Sequence, residues 1–174
     1  MAVPDFQSMM LPLLRFIGDG KSHSMKEAVD SISDVFNLSE EDKNEILSKG
    51  NQTRLVNRVG WARTYMKKAG LIESPSRGNI KITNEGQKLL KQSPDFINSS
   101  FLKKYPGFLE FKSISNNSLE GEEEKDEELE MEKTPNELIE KGYAIIRGNL
   151  SQEILDRLRK ETPSFFEKVI LDLL

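Results

Sequence analysis

The stretch QTRLVNRVGWARTYMKKAGLIESPSRGNIKIT, residues 52–83, decides how the fold is read. Leu55, Val59, Ala62, Met66 and Ala69 recur at the spacing that keeps them on one side of a helix at about 3.6 residues per turn. This predicts a helix over 52–69, stopped by Gly70. Leu71-Ile72, the turn-forming Ser74-Pro75-Ser76-Arg77-Gly78 and the alternating Ile80-Lys81-Ile82 then predict a two-stranded hairpin.

Working outward, Phe6, Met9, Met10, Leu13, Leu14 and Ile17 have helical spacing, and Pro12 must kink that helix or mark where its main part begins. Ser24 with Glu27 three residues on forms a capping box for a helix through Phe36. Ser39 with Asp42 opens a short helix through Leu47, ended by Gly50, and Thr83 caps a further helix containing Glu85, Leu89 and Leu90. Several helices and then a hairpin directly after the longest one is the order of a winged helix-turn-helix, in an α+β domain that is mostly α.

Charge is segregated along the chain. Residues 1–112 hold 17 Lys and Arg against 13 Asp and Glu, whereas residues 113–133 hold 2 against 9. Residues 134–174 are close to balance, at 6 against 7. The acidic stretch 113–133 has too few apolar residues to offset its ordering entropy, and is expected to be a disordered linker. The organisation expected is therefore a winged-helix domain over 1–112, the linker, and a short helical segment over 134–174. No cysteine and a single histidine remove disulfides, thiolate metal sites and most imidazole chemistry, and His23 reads as a polar-loop residue. The apolar run from Met9 to Ile17 is far short of a bilayer span, so no membrane partner is expected and the cytoplasm is the expected location.

Opposite the apolar stripe of 52–69 lie Thr53, Asn57, Gly60, Trp61, Thr64, Lys67 and Lys68, flanked by Arg54, Arg58 and Arg63. From Gln52 to Lys68 there are five cations and no acid. A solvated face normally mixes both signs, so a polyanionic partner is the simplest physical reason for this one. Asn57 could bond an adenine edge, Arg58 a guanine edge, and Thr53 or Thr64 a thymine methyl, while Arg77 and Lys81 on the hairpin would reach the DNA backbone or minor groove. From the residues alone DNA leads, with protein and then RNA as alternatives. Trp61 can either pack under the hairpin or stack on a base. No catalytic or metal-binding residues, and no cofactor, are expected in the chain itself.

The run NRVGWARTYMKKAGLI at 57–72, continuing ESPSRGNIKITNEGQKLL to position 90, resembles the N-terminal winged-helix domain of the Mrr family of restriction endonucleases, as does PDFQSMMLPLLRFIGDGKSH at 4–23. After the linker, TPNELIEKGY at 134–143 and TPSFFEKVILDLL at 162–174 resemble the helical approach to the Mrr catalytic domain. The resemblance implies a type IV restriction system acting in host defence on methylated double-stranded DNA. It also implies a PD-(D/E)xK nuclease core with Mg²⁺ in the full-length enzyme, and homo-oligomerisation through that core. The sequence departs from the family pattern in ending before the catalytic motif. Glu167 matches a glutamate linked to metal binding in relatives, and alone it cannot hold a metal. The expectation is a DNA-binding module that is inactive as a nuclease by itself. A winged-helix transcriptional regulator and a protein-interaction adaptor are the alternatives.

Overall fold

The computed structural model describes residues 2–47, 52–116 and 133–173, in two compact units, 1–135 and 136–174. In the first unit, α1 (Met10–Phe16) leads through a 3-10 turn (Ile17–Asp19) into β1 (His23–Ser24). Next come α2 (Met25–Val35), α3 (Glu40–Asn44) and α4 (Arg54–Lys68). The strands β2 (Ile72–Glu73) and β3 (Asn79–Ile82) precede α5 (Asn84–Lys91), α6 (Ser99–Leu102) and α7 (Pro106–Asn116). The second unit consists of α8 (Pro135–Leu158), which begins at the last residue of the first, and α9 (Pro163–Leu173). The first unit is thus an α+β arrangement, mostly helical, with one small sheet.

The local signals fold as their chemistry dictates. Ser24 and Glu27 close a reciprocal capping box at the start of α2, and Ser39 and Asp42 do the same for α3. Thr53 accepts from the Val56 N–H and Thr83 from the Gly86 N–H, capping α4 and α5. All five stripe residues of α4, from Leu55 to Ala69, are buried. Pro12 produces no break, because it sits in the first turn of α1, where the backbone N–H would have no intrahelical partner. The turn before α1 is fastened by Asp5, whose carboxylate accepts from the Gln7 and Ser8 amides.

Several expectations need correction. The predicted hairpin is part of a three-stranded antiparallel sheet of order β1-β3-β2, with His23 opposite Ile80 and Ile72 opposite Ile82. His23 is therefore a strand residue and not part of a loop; its ring bonds Asp19 at 2.9 Å and tilts against Phe16. Helix α3 ends at Asn44 rather than Leu47, because the chain turns extended so that Ile46 pairs with Thr53 and Glu45 accepts from the Arg54 amide. The expected stop at Gly50 lies outside the described residues.

Nothing in the sequence pattern had assigned 93–112, yet α6 and α7 close the core there, with Leu102 and Phe108 fully buried. Helix α7 continues to Asn116, four residues into the expected linker, and the rest of that stretch, 117–132, lies outside the described residues. In the second unit, Ile139, Ile146, Ile170 and Leu171 are exposed apolar side chains. Among the described residues no helix is long and apolar enough to cross a membrane.

Candidate nucleic-acid interface

Helix α4 is the central element of the first unit, packed against α1, α2, α3, α6, α7 and β2. So much contact leaves little of it facing outward. Its predicted polar face is covered along one edge, and the open strip is rotated toward the opposite shoulder.

The covered edge is held by contacts from distant parts of the chain. Arg58 Nη1 donates to the carbonyls of Val3 and of Pro4, the latter at 2.9 Å, so the guanidinium binds the N-terminal segment. Asn57, expected at the exposed centre, is 4% exposed. Its Oδ1 accepts from the Thr134 hydroxyl at 2.7 Å and its Nδ2 donates to Gln52 Oε1 at 3.2 Å. Trp61 is half-buried against the core, edge-on to Tyr65 with ring centroids 6.1 Å apart. Tyr65 in turn meets Phe6, Phe108 and Phe111, and burial pushes its phenol above the ordinary tyrosine range. Gly107 lets α7 approach: a Cβ there would lie 2.8 Å from the Lys68 carbonyl oxygen.

On the more open strip Val56 and Lys67 are exposed, and Thr53, Gly60 and Arg63 are half-buried. Val56 is 37% exposed, and a Cβ added to Gly60 would meet nothing within 4 Å. Val56 was missed because an apolar residue off the stripe carries no polar signal. Thr64 bonds back to the Gly60 carbonyl at 2.9 Å, which turns its hydroxyl onto the helix itself.

The cations divide by what holds them. Arg54 Nε pairs with Glu45 at 2.8 Å. Arg63 Nη2 donates to Ser74 Oγ at 3.0 Å, in the turn between β2 and β3. Lys67 is exposed and has no ion pair among the described residues. Lys68 is exposed too, with its ammonium 5.2 Å from the Phe111 ring centre. Arg77 is exposed at the hairpin turn, and Lys81 sits 3.9 Å from Glu73. The exposed cations of α4 and of the hairpin turn are therefore Lys67, Lys68 and Arg77, with Arg63 and Lys81 partly engaged. Among the described residues no three His, Cys, Asp or Glu side chains converge.

Over its whole length the chain is similar to the type IV methyl-directed restriction enzyme EcoKMrr of Escherichia coli (strain K12), with 24% identity over 187 residues and 59% of that protein covered. The chain thus spans about three-fifths of the length of that relative. No solved structure matches it. The family model for the Mrr N-terminal domain matches residues 6–92, the whole stretch from the turn before α1 to the end of α5, and the chain belongs to that family.

Proposed function

We propose that residues 1–112 form a winged-helix module that binds double-stranded DNA for a modification-dependent restriction system. In this reading α4 is the recognition helix and the β2–β3 turn is the wing. The observation that carries the reading is the outward strip of α4, where Gly60 leaves open space two turns before Lys67 and the helix carries no acidic residue. A bare helical surface with one sign of charge suits close approach to a phosphate-lined groove. The sheet order supports it, since the strand before α2 pairs with the hairpin that follows α4. Membership of the Mrr N-terminal domain family, and likeness to a methyl-directed restriction enzyme, support methylated duplex as the ligand.

Asn57 and Arg58 drop out of the resting contact set, being buried or committed to backbone carbonyls. The proposed phosphate contacts are Lys67, Lys68 and Arg77, assisted by Arg63 and Lys81. The test is anisotropy titration of the chain with methylated duplex, unmethylated duplex and RNA of the same sequence at two salt concentrations. Tighter binding to methylated duplex, with log K falling as salt rises by about 0.9 per phosphate contact, is expected. Equal affinity for all three would remove the modification-dependent reading. No binding to any of them would favour a protein partner.

A further inference from the structure

The Thr134–Asn57 hydrogen bond joins α4 to a residue 77 positions further along the chain. Thr134 is fully buried, and it seals an amide whose other end is held by Gln52. We propose that residues 133–135 form a strap over Asn57, in the first turn of α4, that must leave when α4 enters a groove, so that the Thr134–Asn57 bond and DNA binding exclude one another. This inference rests on the reading of α4 as the DNA-facing helix.

The argument is one of space. A helix with its side chains is about 10–12 Å across, and the major groove is about 12 Å wide. There is no room at Asn57 for both a segment of the chain and the edge of a base. In a helix-turn-helix dock the N-terminal residues of the recognition helix go deepest, and Asn57 lies in the first turn of α4. The strap and the duplex therefore compete for one place.

The chemistry of Asn57 matches the competition. Its carboxamide donates at one end and accepts at the other, the pattern that pairs with an adenine edge. With the strap in place both ends are already used. When the strap leaves, the acceptor loses Thr134, and an adenine edge can take its place without leaving a buried polar atom unpaired. Linkage requires the reciprocal effect: whatever loosens the strap tightens DNA binding by the same factor.

The experiment pairs two measurements on the full chain. In the first, Thr134→Val keeps the shape of the side chain and removes the hydroxyl, and its affinity for duplex DNA is compared with that of the parent. About tenfold tighter binding is expected, and unchanged or weaker binding overturns the strap. In the second, hydrogen exchange of the unmodified chain is followed with and without duplex. Duplex should slow exchange in α4 while speeding it at residues 133–136. Protection of α4 with unchanged or slower exchange at 133–136 overturns the strap and leaves the DNA reading standing. Absence of duplex binding by both parent and variant overturns the DNA reading, and the strap with it.

Discussion

Arg63 Nη2 lies 3.0 Å from Ser74 Oγ, so the turn that carries Arg77 is bonded directly to the helix that carries Lys67. Helix and turn are held as one surface, and the Arg63 Nε is buried there without a partner of its own. Arg63→Ala should therefore cost more DNA affinity than loss of one phosphate contact, because it also frees the turn. Ser74→Ala separates the two effects: it keeps the charge and removes the tie. Its expected cost is about 1 kcal/mol of stability, with a smaller loss of affinity than Arg63→Ala. Thermal melts and duplex titrations of both variants check this, and equal affinity losses would contradict it.

Gly60 gives a test in which fold and binding move in opposite directions. In the free protein an added Cβ meets nothing, so Gly60→Ala should raise stability by about 0.5–1 kcal/mol through backbone entropy alone. On the duplex the same methyl stands between the backbone and the groove, and binding should weaken. A variant that is both more stable and tighter-binding would show that this strip does not face DNA.

The two neighbouring lysines should behave differently. Lys67→Ala should weaken binding to every duplex alike and lower the salt slope by about one unit. Lys68→Ala should do so less, and should also loosen α7 by about 0.5–1 kcal/mol through loss of the cation over Phe111. Comparing the melting temperatures and salt slopes of the two variants decides the division.

Gly107 is a pure packing test. A Cβ there would sit 2.8 Å from the Lys68 carbonyl, which is backbone and cannot swing away. Gly107→Ala should push α7 off α4 at a cost of about 1–3 kcal/mol, read as a fall in unfolding midpoint.

Acid should loosen α2. Hydrogen bonds from the Ser24 backbone N–H and hydroxyl hold the Glu27 carboxyl below its ordinary 4.5. A group whose folded pKa is depressed adds stability above its unfolded pKa and loses it as pH falls through the folded one. Glu27 thus contributes fully at neutral pH and progressively less below about pH 4.5. Asp19, lowered from 3.8 chiefly by its bond to His23, acts in the same direction at slightly lower pH. Melting temperature measured from pH 6 to pH 3 should fall less steeply for Glu27→Gln than for the parent.

The parts of this fold legible in the sequence are those set by neighbours a few residues apart. The Ser24–Glu27 capping box, the helix starts at Ser39 and Thr83 and the five-residue stripe of α4 follow from local hydrogen bonding and helical period, whereas the helix predicted from Gln52 begins at Arg54 because Thr53 caps it. The hairpin was readable from its turn residues, but its third strand was not, since two residues around His23 carry no period. The outward face of α4 was misplaced for a physical reason: a face is outward only if nothing distant covers it. Arg58 finds its carbonyls 54 and 55 residues away, and Asn57 finds Thr134 across 77. Helix α7 brings Phe108 and Phe111 onto the shoulder that holds Tyr65 and Lys68. No periodicity within α4 carries that information.

The separation between Asn57 and Thr134 has a bearing on how the chain is made. A ribosome adds about 5–20 residues per second, so Thr134 follows Asn57 out of the exit tunnel after roughly 4–15 seconds. Once α7 has also emerged, the nascent polypeptide can assemble the helices around α4 while the Asn57 carbonyl still lacks Thr134. A newly synthesised chain would thus pass through an open form before reaching the covered one. Translation speed between codons 57 and 134 would then set how long each molecule spends with α4 uncovered.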